Sequence, residues 1–131
     1  MGLFTDFEAD VGGAQRKVIS SSVAPLRRSD GDTGIPLADG VTRPFRVTRQ
    51  WSAPAGHYPE RWYLVEPGSR EVVHEGPERL ALIWGLQAPT ELTDEVREQI
   101  RLEPGTYKLF FALGGLAGGD VDVDVFEVGG G

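Results

Sequence analysis

The chain contains no cysteine and no asparagine, and it has only two lysines among its 131 residues. Without cysteine it forms no disulfide, no thiolate metal site and no cysteine nucleophile, so cysteine usage leaves the redox compartment open. Without asparagine it has no N-glycosylation site. Arginine outnumbers lysine by 11 to 2, a bias that fits a GC-rich genome.

Positive charge is also scarce, because 20 acidic residues face 13 basic ones and give a formal net charge of −7. The acidic residues are spread along the chain and form no single block. A nucleic-acid partner needs a basic face to neutralise phosphates. The balance therefore disfavours DNA or RNA binding and favours solubility.

Long hydrophobic runs are missing as well. The longest apolar stretch, from Leu109 to Gly119, is rich in glycine and far shorter than the ~20 residues of a membrane helix. The amino terminus has neither the basic region nor the apolar region of a secretory signal. We therefore expect cytoplasmic synthesis without membrane insertion.

What the sequence does contain is alternation of apolar and polar residues between turn signals. Phe45, Val47 and Trp51 fall on one face of a first strand, and the run Tyr107-x-Leu-x-Phe-x-Leu113 gives the strongest strand. The Pro67-Gly-Ser, Pro104-Gly and Gly114-to-Gly119 segments are typical turns. About seven such strands predict an all-β fold, a single antiparallel β-sandwich of jelly-roll or Ig-like type. The run from Leu102 to Tyr107 is similar to the turn-then-tyrosine hairpin of many unrelated β-sandwich modules.

The first forty residues differ from the rest. They contain no tryptophan or tyrosine, and their apolar residues keep neither a helical nor a strand period for long, although 16–24 fits a strand. We predict an extended N-terminal arm over 1–40, a β-sandwich domain over 41–128 and a glycine tail over 129–131.

Two segments of the predicted domain, 79–84 and 86–103, have apolar patterns that fit more than one structure. Residues 79–84 are apolar on both faces, which predicts a central strand and places Trp84, like Trp51, in the core. Residues 86–103 fit either a helix or a strand, because Leu92, Val96 and Ile100 are spaced four apart as in a helix, whereas Val96, Ile100 and Leu102 fall on one face of a strand. We favour a loop followed by a strand from Arg97 to Leu102.

No catalytic motif stands out, so we expect no enzyme and no cofactor. The two histidines have no metal-binding spacing. Asp120, Asp122 and Asp124 share a strand face and are a weak calcium alternative, but one strand cannot wrap an ion that takes six to eight oxygens. We predict a solvated face and no metal. Tyr58, between glycine and proline, is the best candidate for an exposed ligand contact.

The arm carries apolar and basic residues that fit pockets or acidic faces on a neighbouring subunit. We predict that it docks on a partner through the residues Phe4, Phe7, Arg16, Lys17, Val18, Ile19, Leu26, Arg27 and Arg28. The leading hypothesis is a non-enzymatic structural subunit of a multi-copy assembly, with homo-oligomeric or coat and tail neighbours. A virion component (capsid-associated, decoration or tail protein) is the favoured case. The alternative is a monomeric β-sandwich binding module for carbohydrate or calcium.

Overall fold

The computed structural model describes residues 16–26 and 33–128, and these residues form β-strands joined by turns and loops, with no helix among them. The predicted arm contacts Phe4, Phe7, Arg27 and Arg28, and the glycine tail 129–131, lie outside the described residues.

Ten strands are present in the described part of the chain. In order they are β1 (Lys17–Pro25), β2 (Ile35–Ala38), β3 (Val41–Thr42), β4 (Phe45–Ser52), β5 (Gly56–Val65), β6 (Val72–Glu75), β7 (Arg79–Ile83), β8 (Thr90–Val96), β9 (Gly105–Leu113) and β10 (Leu116–Glu127). The sequence predicted about seven, including a strand at 71–74 that corresponds to β6, but strands as short as β2 and β3 show too little alternation to be recognised.

The strands form two sheets. The small sheet has the order β1-β4-β8, and the large sheet has the order β3-β2-β10-β9-β5, with β6 and β7 both paired to the far edge of β5. Every pairing is antiparallel except that of β2 with β10. The predicted β-sandwich is confirmed.

The core lies between the inner faces of the two sheets. Alternate residues of β4, including Phe45, Val47 and Trp51, are at most 1% exposed and meet Trp62 of β5 and Phe111 of β9 within one hydrophobic cluster. The core position predicted for Trp51 is therefore confirmed. The period of two along each strand builds this packing, since every second side chain points inward.

Tight hairpins join the paired strands of the large sheet. Gly114 and Gly115, with φ of 63° and 84°, form the two-residue turn between β9 and β10, where a type I′ turn needs positive φ at both positions. Tyr107 donates its hydroxyl proton to the carbonyl of Glu103 at 2.9 Å and fixes the start of β9. Both turns were predicted, but the loop predicted over 114–119 was too long, because β10 already begins at Leu116.

The sandwich begins earlier than predicted. β1 pairs with β4 along its whole length, confirming the strand expected at 16–24, and β2 lies beside β10 in the large sheet. Val23, Ile35 and Leu37 belong to the core cluster. The boundary at residue 41 was therefore wrong, because short core strands interrupted by Ser and Gly runs do not show their pairing in local sequence.

The strand predicted from Arg97 to Leu102 was also wrong. The strand in this region is β8, and the segment after Val96 is held by both backbone and side-chain hydrogen bonds. The Thr42 amide donates to the Ile100 carbonyl at 2.9 Å, and the Leu102 amide donates to the Gly40 carbonyl at 3.1 Å. Thr42 Oγ1 accepts a hydrogen bond from the Ile100 amide at 3.0 Å and donates one to the Glu98 carbonyl at 3.2 Å. Ile100 and Leu102 are nonetheless buried, so the shared apolar face was correct even though the secondary structure was not.

Two core tryptophans are each covered by a glycine. A Cβ atom on Gly118 would come within 2.1 Å of the Trp51 ring, and one on Gly76 would come within 2.3 Å of the Trp62 ring. Backbone and ring planes therefore pack at a distance that only glycine permits.

We expect Gly118→Ala to destabilise the fold by about 1–3 kcal/mol, since the new methyl group forces the buried Trp51 ring to move. Gly68→Ala is the matched control, because nothing lies within 4 Å of the Cβ position there. Urea denaturation of both variants checks this. Equal stability of the two variants would contradict the packing described.

His74 of β6 is largely buried against Trp62, with ring centroids 5.6 Å apart, and its Nε2 lies 3.9 Å from Glu98 Oε1. Burial lowers the pKa of His74, while the charges of Glu98 and Glu75 oppose that shift. The unfolded chain therefore binds this proton more tightly than the folded one.

We expect the contribution of His74 to be present above the unfolded-state pKa of about 6.5 and to be lost as the pH falls through 6.5 towards the lowered folded-state pKa. Urea denaturation at several pH values measures this loss. His74→Phe, which keeps a ring against Trp62, should remove that part of the pH dependence. An unchanged dependence in the variant would contradict the assignment.

Candidate functional site

Four charged side chains form a network between the sheets: the buried Arg49 of β4, Glu60 of β5 and Asp94 of β8, and the partly exposed Arg79 of β7. Arg49 donates from Nε to Glu60 Oε2 at 2.8 Å, from Nη2 to the other oxygen of Glu60, and from Nη1 to Asp94 Oδ2 at 3.1 Å. Arg79 bonds to the second oxygen of Asp94. Two positive charges thus balance two negative ones.

Both core tryptophans complete this network. Trp51 donates its indole N–H to Glu60 Oε2 at 3.0 Å, and Trp62 donates its own to Asp94 Oδ2 at 2.8 Å. Arg49 and Glu60 are at most 1% exposed, so no substrate reaches them. We interpret the network as structural, because an acid or a base in catalysis must touch its substrate.

Sequence reasoning missed this network, although a signal was present. Arg49 has the same inward parity as Val47 and Trp51, Glu60 stands two residues before Trp62, and Asp94 stands two before Val96. Charged residues at inward positions of three strands predict mutual pairing, since an isolated buried charge is too costly.

An apolar strip on the outside of the large sheet is the most conspicuous surface feature. It consists of Leu80, Leu82, Trp84 and Leu86, which are 70%, 44%, 70% and 51% exposed. The strip contains all but one of the large exposed hydrophobic residues in the described part of the chain, the other being Ile19. Ala81 and Ile83 between them point into the core.

The strip continues into a groove of about 480 Å³ where the loops before β5 and after β7 meet. Pro54 and Ala55 line one side, and Trp84 and Leu86 line the other. The Trp84 amide donates to Thr90 Oγ1 at 3.0 Å, which fixes the start of the loop that carries the groove.

The core position predicted for Trp84 was wrong. The predicted central strand is an edge strand, since β7 pairs with β5 on one side and with no other described strand. Ala81 and Ile83 point into the core there, and the alternate residues Leu80 and Leu82 face solvent. Hydrophobicity on both faces of 79–84 therefore reflected one buried face and one exposed apolar face.

The described members of the predicted arm contacts lie on or beside β1. Val18 packs against the core, Ile19 is 46% exposed, Lys17 is exposed and Leu26 is half-buried. Arg16 lies 4.9 Å above the Tyr58 ring. These contacts tie the segment to its own sandwich, and its predicted docking on a partner stays a prediction.

Tyr58 is half-buried rather than open. Its hydroxyl donates to the Pro54 carbonyl at 2.8 Å, while Arg16 covers the ring. A ligand would have to displace Arg16 to stack on this ring. The structure thus offers no free aromatic platform at this position.

The three aspartates of β10 lie on the solvated face of the large sheet, as expected. Asp122 accepts from Lys108 Nζ at 2.7 Å and, with the charge of Asp120, raises the pKa of that lysine. Asp124 accepts from Thr106 Oγ1 at 3.1 Å. No group of three acidic or histidine side chains among the described residues is placed to hold a metal ion.

No known family model matches the chain, and no curated protein matches its sequence. Among solved structures, the fold is similar to part of the alkylpurine DNA glycosylase AlkC from Pseudomonas fluorescens bound to DNA containing an abasic site analogue. The TM-score is 0.53 and the identity is 15%, over 86% of this chain and 31% of that one.

Two further similarities have TM-scores of 0.46. One is to a β-glucosidase from Listeria innocua in complex with glucose, at 15% identity over 84% of this chain and 16% of that one. The other is to an immunoglobulin-like protein from Pseudomonas aeruginosa, at 14% identity over 88% of this chain and 99% of that one. This chain spans under a third of the glycosylase and a sixth of the glucosidase, so their activities do not transfer to it.

In the described part of the chain, no helix is long and apolar enough to cross a membrane.

We expect Glu60→Gln to cost about 3–5 kcal/mol of folding stability, because it leaves buried positive charge without its partner. Glu95→Gln is the control: Glu95 pairs with Arg46 at 3.4 Å with both side chains about 45% exposed, and such a pair contributes about 0–1 kcal/mol. The free energy of unfolding in urea compares them. Similar losses in both variants would contradict a closed network.

Proposed function

We propose that this protein is a non-enzymatic subunit of a multi-copy protein assembly, in which the apolar strip is an interface. The observation that carries the proposal is the clustering of Leu80, Leu82, Trp84 and Leu86 on one face beside an open groove. Four exposed apolar side chains do not make an acidic, charged protein more soluble. Their exposure therefore favours a role in binding.

The size of the strip supports this function. Its four side chains expose roughly 500 Å² of mostly apolar surface, within the range of the largest patch on a monomer, which is often functional. Trp84 is the anchor that we expect to matter most, because tryptophan is enriched among residues that dominate binding energy.

Within this class we favour a virion component, a capsid-associated, decoration or tail protein made in the cytoplasm and then incorporated. The support is architectural: a rigid sandwich preceded by residues 1–15, which contain Phe4 and Phe7 as apolar anchors for a neighbouring subunit.

The alternative, a monomeric module that binds carbohydrate or calcium, has less support. Tyr58 is engaged by Arg16 and Pro54, and the carboxylates of Asp122 and Asp124 have partners on β9. Such a module would require one of these contacts to open on binding.

The test is the size of the complex that contains the full chain in extracts of its native cells. We expect wild-type protein to sediment in a complex much larger than the 14.2 kDa chain, and Trp84→Ser to shift it to smaller species, since the anchor is lost. Thr93→Ser, at an exposed position of the small sheet, is the matched control. Wild-type protein that sediments as a single chain overturns the proposal.

A further inference from the structure

The open edge of β7 is defined by the register of its pairing with β5. Pro59 lies opposite Leu80, has no N–H, and directs its carbonyl to the Gly114 amide on the β9 side at 2.7 Å. Hydrogen-bonded pairs alternate along an antiparallel ladder, so the bonds from β7 to β5 come from Arg79, Ala81 and Ile83. The N–H and C=O groups of Leu80 and Leu82 therefore point away from β5, towards the open side.

The same two residues carry exposed side chains, so both the backbone and the apolar face of β7 are available. Natural edge strands are protected by lysine, proline, bulges or a covering element. Residues Arg79–Ile83 contain no lysine and no proline, and their register with β5 shows no bulge. The one charged side chain of β7, Arg79, forms a salt bridge with Asp94 and so does not protect the edge.

We propose that the occupant of this edge is a second copy of the chain, paired through β7 in antiparallel fashion about a two-fold axis at Ala81. This inference rests on the proposed function and names its partner. In that register Leu80 of each copy faces Leu82 of the other. All the backbone groups that Leu80 and Leu82 present to the open side then form hydrogen bonds across the axis.

The neighbouring register with its axis at Leu82 fits less well. An axis at Leu82 would place Leu80 opposite Trp84 of the partner subunit and would need the Trp84 amide, which is donated to Thr90 Oγ1. With the axis at Ala81, Glu78 faces Trp84 of the partner subunit and Arg79 faces Ile83 of the partner subunit. No two like charges are directly opposed, a condition that cross-strand pairs need.

The surface area available for burial sets the expected affinity of the dimer. The two strips together expose roughly 1,000 Å², and edge pairing covers only part of it, which corresponds to the low end of specific interfaces. We therefore expect a reversible dimer in the micromolar range. Each copy carries a net charge of −7, so screening by salt should strengthen the dimer.

Sedimentation equilibrium of the purified full chain, from micromolar to millimolar concentration, tests the proposal. We expect a monomer–dimer equilibrium, and we expect Leu82→Lys to raise the dissociation constant by about tenfold or more while the fold is kept. Gln99→Lys, which adds the same charge at an exposed position outside the strip, should behave as wild type. A second variant, Ile19→Lys, alters an aliphatic residue of similar exposure on β1.

A cysteine scan tests the register directly, because the natural chain has no thiol. With the axis at Ala81, the two copies of that residue form a close non-hydrogen-bonded pair whose Cα separation allows a disulfide. Ala81→Cys should give a covalent dimer on mild oxidation. Leu82→Cys, although more exposed, should crosslink more slowly.

The results distinguish a failure of pairing through β7 from a failure of the proposed assembly function. A purified chain that stays monomeric at all concentrations, or a dimer broken by Ile19→Lys and not by Leu82→Lys, overturns pairing through β7. Faster crosslinking of Leu82→Cys overturns the Ala81 register. The native complex remains the separate measure of the assembly function, since a large complex around a chain that is monomeric alone requires another partner at the strip.

Discussion

The salt-bridged network of Arg49 with Glu60 and Asp94 constrains the rest of the structure, because its members are stable inside the protein only when all of them are paired. Arg49 and Asp94 belong to the small sheet, and Glu60 belongs to the large one. A slip of either sheet by one residue would leave a charge buried alone, at a cost of several kcal/mol. The network therefore selects one alignment of the two layers, which hydrophobic packing alone specifies less sharply.

The same requirement explains the packing around the tryptophans. Each carboxylate of Glu60 and Asp94 needs a further donor, and the indoles of Trp51 and Trp62 supply it. Holding the indole nitrogens at the network brings each ring against a glycine, Gly118 or Gly76, whose missing side chain makes the space. One polar cluster thus determines ring positions and glycine positions on four different segments.

The sequence allowed prediction of features that depend on local pattern. Alternation placed Trp51 in the core, and glycine pairs marked the β9–β10 hairpin. Features that depend on which strands lie beside each other in the fold could not be predicted from local pattern. Trp84 has the local setting of a core residue, and only the tertiary structure shows that it follows β7 on the outer face of the large sheet. The interface candidate therefore emerged from the fold, while inward parity at Arg49 was a signal in the sequence that went unused.

The position of Arg16 has a practical consequence for work on this protein. Arg16 covers Tyr58, whose hydroxyl reaches Pro54 on the rim of the groove, so the described chain begins one side chain away from that rim. A fluorescent label attached at Arg16 itself would therefore lie close to the groove whose binding is to be measured. The carboxyl end leaves from β10, which β9 and β5 separate from β7, and it is the safer place for a label.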